Sequence, residues 1–189
     1  MKGKIVIFSA PSGSGKSTLV HYLIDNCQTQ FAFSVSATSR APRGQERDGV
    51  DYFFISADEF RKKIAENAFV EYEEVYNNCF YGTLRSEVDA KLATGATMLF
   101  DVDVKGGLNI KRQYGAQALA IFVQPPSIDE LRHRLVSRAT DSPEMIEQRI
   151  AKAEWELQFA PQFDQIIVND DLDKAKAQVL KVVSEFLMS

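Results

Sequence analysis

One feature constrains this chain more than any other: the apolar run Ile5-Val6-Ile7-Phe8 leads straight into "SAPSGSGKST", residues 9–18. Four apolar residues in a row read as a buried strand. The next stretch contains Gly13 and Gly15, whose ordering costs chain entropy. Lys16, Ser17 and Thr18 then open a helix with Leu19, Val20, Leu23 and Ile24 on one face. A strand, a glycine-rich turn and a helix in that order converge backbone N–H groups and a helix N-terminus on one point, which suits phosphate oxygens. Such a loop lets Lys16 reach the outer phosphates of a nucleotide and lets the Ser17 hydroxyl hold Mg²⁺. The usual pattern begins with glycine, and here Ala10 stands in that place. Alanine resists positive φ. Ala10 is therefore expected at negative φ, with Gly13 and Gly15 making the unusual turns.

The remaining pattern repeats strand and helix. Apolar strands are expected near 97–103 ("TMLFDVD"), 118–123 ("ALAIFV") and 165–169 ("QIIVN"). Helices are expected over 84–93, after Ser127, over the segment bearing Ile146, Ile150, Ala153 and Leu157, and at the C-terminus. Ser127 with Glu130 forms a capping box, as does Ser56 with Glu59. Strands apolar throughout, alternating with helices, imply a parallel sheet covered on both faces. Residues 33–83 break this rhythm. "FSVSAT" (33–38) alternates apolar and hydroxylated residues as one strand, "DYFFI" (51–55) reads as another, and "FVEYEEV" and "NNCFYG" fit a strand and turn. This region reads as an antiparallel insertion.

Composition narrows the function classes. The 189 residues suit one compact domain with inserted lobes, and a net charge of −4 gives no global attraction to nucleic acid or to an anionic membrane. The apolar N-terminal run is too short for a signal peptide or a spanning helix. Cys27 and Cys79 make no CxxC and no metal-spaced cluster, which fits a reduced, cytoplasmic setting. His21 and His133 are the two histidines and read as helix-surface residues, so a Ser/His/Asp or zinc hydrolase is a poor candidate. A guanine-reading N-K-x-D, which a GTPase switch needs, does not occur; "VND" at 168–170 is the nearest fragment.

A second anion site decides the class. "SATSRAPRGQERDGVDY" holds Arg40 and Arg43 around Pro42, then Tyr52. Two guanidinium forks on a stiff turn suit a phosphate better than lysines do. A solvated charged loop is the alternative for this stretch taken alone. With the phosphate loop, the chain closely resembles guanylate kinases, enzymes that pass a phosphoryl group from ATP to GMP. The resemblance runs through "SAPSGSGKST", "FSVSATSRAPRGQERDGVDYFF", "FVEYEEV", "FYGT", "DVDVKGG", "RLVSRATDSPEMIEQRI" and "IIVNDDLDKA".

The resemblance implies an α/β fold: a P-loop NTPase core with a parallel sheet flanked by helices (1–32, 84–125 and 150–189), an inserted antiparallel GMP-binding lobe (33–83) and a helical lid (126–149). It implies that ATP is bound by Ala10, Pro11, Ser12, Gly13, Ser14, Gly15, Lys16, Ser17 and Thr18, with Asn169 near the adenine. Arg40, Arg43 and Tyr52 would grip the GMP phosphate with Tyr81 assisting, Glu46 would order the arginine loop, and Glu71 would read guanine. A carboxylate can accept from both N1–H and N2–H of guanine, a donor pair adenine lacks. Ser36 and Thr83 would complete the base pocket. Asp101, with Asp103, would face the nucleotides and Mg²⁺, Asp101 through water; capping beside Gly106-Gly107 is the alternative for both. Lys16, Arg40 and the lid residues Arg134, Arg138 and Arg149 would carry the chemistry. Two departures stand out: Phe80 replaces a tyrosine common beside Tyr81, and Lys105 adds charge in "DVDVKGG". The implied partners are ATP and GMP, or dGMP, with no nucleic acid and no membrane; homo-oligomerisation stays open. Two rivals stay open as well, a non-catalytic guanylate-kinase-like interaction module and another small-molecule P-loop kinase.

Overall fold

The computed structural model describes residues 3–137 and 142–189. In chain order, β1 (Ile5–Ser9) leads through the glycine-rich turn into α1 (Lys16–Asn26). β2 (Phe31–Ala32), β3 (Ser36–Thr38), β4 (Phe53–Phe54), α2 (Ala57–Ala65), β5 (Phe69–Tyr76) and β6 (Cys79–Leu84) follow. Then come α3 (Arg85–Ala93), β7 (Thr97–Asp101), α4 (Val104–Tyr114), β8 (Ala118–Gln124) and α5 (Ile128–Ser137). α6 (Pro143–Leu157), β9 (Gln165–Val168) and α7 (Leu172–Met188) complete the order.

The first sheet runs β2-β7-β1-β8-β9, and its pairings are parallel. Alternate residues of its strands enter two cores. Ile5, Ile7, Met98, Phe100, Ala120 and Phe122 pack on one face, against Val88 of α3 and Val104 and Ile110 of α4. Val6, Phe8, Leu99, Ile121 and Val123 pack on the other, against Leu19 and Leu23 of α1 and Val179 and Val183 of α7. Burial on both faces is why these strands read as unbroken apolar runs. Gly107 lets α4 lie close on β1: a Cβ there would come 2.6 Å from Ser9 Oγ and 3.3 Å from Ile7 Cγ2.

The inserted lobe carries the second sheet, ordered β4-β3-β6-β5. β6 pairs antiparallel with β3 and β5, but β3 and β4 are parallel, so the sheet is mixed rather than wholly antiparallel. The reason is the length of residues 39–52. A tight hairpin returns the chain antiparallel, whereas a long crossover lets it re-enter in the same direction. The expected strand over 33–38 forms only over Ser36–Thr38, in the lobe, while Phe31–Ala32 just before it extends the parallel sheet beside β7. Phe60 of α2 stacks on Phe69 and Phe80 at 4.3 and 5.2 Å, giving the lobe its own small core. At the other end of the molecule, α5 and α6 pair through Leu131, Leu135, Ile146 and Ile150. Ser127 Oγ accepts from Glu130 N at 3.0 Å and Ser56 Oγ from Glu59 N at 3.1 Å, so the serine half of each expected capping box forms. Helix α6 runs unbroken through residues 149 and 150, so the segment expected as lid and the segment expected as core share one helix.

Candidate active site

The phosphate loop turns at Gly13 (φ 95°) and Gly15 (φ 89°), while Ala10 is not among the residues with positive φ. Gly15 meets a second constraint: a Cβ there would lie 2.2 Å from Asn169 Nδ2. Asn169 is buried, and its amide donates to Ser14 O at 2.8 Å. Its side chain therefore braces the loop. Above the loop lies a cavity of about 420 Å³. Ala10, Pro11, Ser12, Gly13, Gly15, Lys16, Ser17 and Thr18 form its floor. Asp101, Val102 and Asp103 form one wall, and Arg149, Lys152 and Glu156 of α6 form another.

Charges inside this cavity are answered locally. Lys16 Nζ is ion-paired with the Asp101 carboxylate. Asp103 Oδ1 accepts from Gly106 N at 2.7 Å and so caps α4, the role left open for it by the sequence. Arg149 Nη1 donates to Ser12 Oγ at 2.6 Å. Glu156 is 4% exposed. Burial pushes its carboxyl above the usual range; Lys152 and Lys16 oppose that rise, and Asp103 adds to it. Arg134 is turned elsewhere. Its Nε donates to Glu130 Oε1 at 2.8 Å and its Nη2 to Asn169 O at 3.0 Å, tying α5 to the end of β9. Arg138 lies outside the described residues.

A second cavity, of about 390 Å³, opens between the lobe and the core. Ser36, Glu71, Tyr81 and Thr83 line its lobe side, and Asp101, Val102 and Asp103 its core side. The two cavities thus share the wall formed by the end of β7 and the turn after it. Pairing of β6 with its neighbours sets Thr83 opposite both Ser36 and Glu71. Thr83 Oγ1 donates to Glu71 Oε1 at 2.6 Å. Burial raises the Glu71 carboxyl above its ordinary value; the Thr83 hydrogen bond works against this, while Asp103 and Glu73 push the same way as burial. Phe33, half exposed, and Glu73 also line this cavity.

The arginine loop stands beside it, joined through Tyr81. Arg40 Nη1 and Nη2 donate to the two Glu46 oxygens at 2.6 and 2.8 Å, and Arg40 Nε donates to Tyr81 Oη at 3.0 Å. The guanidinium lies over Tyr52, 4.9 Å from the ring centre. Glu46 also accepts from Arg43 N at 2.8 Å. The Arg40 hydrogen bonds, helped by that backbone donor, hold the Glu46 carboxyl down to about 2. Arg43 itself is exposed. The chemistry of Phe80 is apolar: it is buried in the lobe core. Lys105 Nζ sits 5.1 Å from the centre of the Trp155 ring, in a neighbouring cavity.

Two cavities that meet at a strand end, one floored by a phosphate loop and one joined through Tyr81 to an arginine loop, invite comparison with known proteins. A family profile described as guanylate kinase matches residues 2–186. The chain belongs to the guanylate kinase family. The guanylate kinase of Bacteroides fragilis is 62% identical over 98% of this chain and 91% of its own length. That of Bacteroides thetaiotaomicron is 60% identical over 99% of this chain and 91% of its own. Among solved structures, guanylate kinase from Anaplasma phagocytophilum superposes with a TM-score of 0.68 at 27% identity, covering all of this chain and 88% of that one.

Within this guanylate kinase fold, the lining residues that sequence reasoning missed include Lys152, Glu156, Val102, Glu73 and Phe33. Lys152 and Glu156 could have been found, because Arg149, Lys152 and Glu156 fall at i, i+3 and i+7 and so share one helical face. Phe33 gave no such signal, since its alternating neighbours suggested an inward-facing strand residue.

Proposed function

We propose that this protein transfers the γ-phosphoryl group of ATP to the phosphate of GMP, or of dGMP, giving ADP and the nucleoside diphosphate. The observation that carries this reading is the shared wall at Asp101, Val102 and Asp103. A nucleotide with its phosphates on the loop and another with its base against Glu71 have their phosphates directed toward the same boundary. That arrangement suits an in-line transfer without a covalent enzyme intermediate. The acceptor is already anionic at neutral pH, so no strong general base is needed. The barrier is charge repulsion, and catalysis lies in positioning and electrostatic stabilisation.

Each residue has a part in this reading. Lys16 leaves Asp101 to meet the donor phosphates, and the N–H groups around Gly13 and Gly15 hold them. Arg149, on the lid side, adds positive charge, as do Arg134 and Arg138 when the lid closes. Arg40, Arg43, Tyr52 and Tyr81 hold the acceptor phosphate, with Glu46 fixing the arginine loop. Glu71 accepts from the guanine N1–H and N2–H, and Ser36 and Thr83 complete the base pocket. Adenine would leave the Glu71 carboxylate without those donors, which is the source of strong discrimination.

The oxygen chemistry here also fits Mg²⁺. Ser17 and Asp101 face the donor cavity, and the described residues include no group of three acidic, histidine or cysteine side chains that would form a protein cage for a metal. A magnesium ion held largely by substrate phosphates and water needs no such cage. When bound, it neutralises charge on the β- and γ-phosphates. The test is an assay of purified protein with ATP, Mg²⁺ and each nucleoside monophosphate in turn. GDP formed from GMP, with AMP, CMP and UMP far slower, is expected; equal rates for AMP and GMP would overturn the reading.

A further inference from the structure

Glu156 is anomalous where it stands. A site for polyphosphate repels carboxylates, and a buried carboxylate is unfavourable unless a cation or hydrogen-bond donors answer it. Yet Glu156 is almost wholly buried and lines the donor cavity. Its ionic partner is Lys152, with Nζ 3.8 Å from Oε1. That distance exceeds a hydrogen bond, so the contact is Coulombic and leaves the ammonium donors uncommitted. The Lys152 side chain is 61% exposed, and it too lines the cavity. One turn earlier on the same face, Arg149 reaches the loop at Ser12.

The other charges in the cavity have been accounted for: Lys16 is paired with Asp101, and Asp103 caps α4. The remaining carboxylate and the remaining ammonium belong to one helix and to each other. We propose that Lys152 is a further ligand for the donor phosphates, and that Glu156 is the positioning residue that holds its ammonium over the phosphate loop. The carboxylate is buried and the Lys152 side chain is exposed, so Glu156 restrains Lys152 without presenting its own charge first to the triphosphate. This inference rests on the ATP-dependent reading of the same cavity. It adds a cation that neither the loop motif nor the lid arginines supply.

The test combines kinetics with direct binding. Lys152→Met, Lys152→Arg, Glu156→Gln and the Lys152→Met/Glu156→Gln double variant are compared with the parent protein. For each, KM for ATP and for GMP, kcat, and Mg·ATP affinity by calorimetry are measured. Loss of one charge-assisted phosphate contact should weaken Mg·ATP binding and raise KM for ATP by about tenfold in Lys152→Met, with KM for GMP unmoved. Lys152→Arg should recover most of the loss. Glu156→Gln should reproduce part of it, and the double variant should fall short of the product of the two single effects. Parental ATP affinity and kcat in Lys152→Met would overturn the inference, and multiplicative effects would overturn the role of Glu156. Should Glu156→Gln fail to fold, Glu156→Asp provides the positional test: it keeps the charge, withdraws it from Lys152, and should raise KM for ATP. Calorimetry separates this idea from the parent reading, because ATP affinity tests Lys152 even if GMP proves not to be the acceptor.

Discussion

In the proposed function the phosphate loop and the arginine loop each meet a phosphate, and they differ in what holds them. In the phosphate loop the ligand-facing groups belong to the backbone, set by positive φ at Gly13 and Gly15 and braced by Asn169. In the arginine loop they belong to side chains. Arg40 is held by two hydrogen bonds to Glu46, one to Tyr81 and the face of Tyr52, before any ligand arrives. Backbone donors need no counter-charge when empty. A guanidinium over the Tyr52 ring and largely out of solvent does, and Glu46 provides it. Lys16 is the donor-side exception, and it is parked on Asp101.

The largest expected effect lies with that exception. Replacing Lys16 with alanine should lower kcat by at least about 10²–10³-fold, the scale for one preorganised stabiliser of developing charge. Its ion pair is partly exposed, so it should change stability by no more than about 1 kcal/mol. Steady-state kinetics alongside thermal melting checks both halves. Turnover near that of the parent would show that the loop backbone alone stabilises the transferring group, and the comparison would have to be redrawn.

A smaller effect separates the two arginines. Arg43 is exposed, whereas Arg40 fastens the loop. Arg43→Ala should therefore raise KM for GMP by about tenfold, the loss of one charged contact, and leave the loop ordered. Arg40→Ala should raise it similarly and also loosen residues 39–52, because Glu46 loses both its side-chain donors. Hydrogen exchange of these amides is the measurement. Equal protection in the two variants would mean that the loop is not organised by the Arg40–Glu46 pair. Acid gives an independent reading. The folded Glu46 carboxyl sits at about 2 against an ordinary 4.5. Its stabilisation is present above 4.5 and is lost as pH falls from there toward 2, so the loop should loosen in that window.

How much of this was legible follows the same division. The phosphate loop declares itself because its geometry requires glycine, lysine and a hydroxyl at fixed spacing. The buried strands declare themselves because both faces are apolar. The arginine loop is visible as a charged stretch, but its ion pair joins residues that only the folded loop brings together, and the sequence offered a solvated loop equally well. Helix α4 went unread because Gly106 and Gly107 sit in its first turns and depress helix propensity. What favours the helix there is the Asp103 cap and close packing on β1, and packing is not a local signal. The strand at 33–38 misled for a related reason. Alternation persists while the chain passes from one sheet to the other, and nothing in the period marks the crossing.

The smallest effect is a pH dependence, carried by the acceptor-side carboxylate of Glu71. Glu71 accepts from the Thr83 hydroxyl, and its carboxyl is pushed above the ordinary 4.5, chiefly by burial. Reading guanine requires the charged form, because a protonated carboxyl cannot accept well from both N1–H and the exocyclic N2–H. As pH falls through that raised value the protonated form grows, and GMP binding should weaken. The phosphate of GMP is a second titrating group, near 6 as in other phosphate monoesters. The informative quantity is therefore the ratio of kcat/KM between the parent and Glu71→Gln, which shares the phosphate but lacks the titrating group. At neutral pH the parent should lead by about 10- to 100-fold, the worth of a hydrogen-bonded charge. On acidification the lead should shrink by a few-fold, beginning above 4.5. A constant ratio through that range would place guanine recognition on groups that do not titrate, with Ser36 and Thr83 the remaining candidates. The acceptor half would then depend on neutral donors, as the phosphate loop does, and the contrast between the two halves would be confined to the arginine loop.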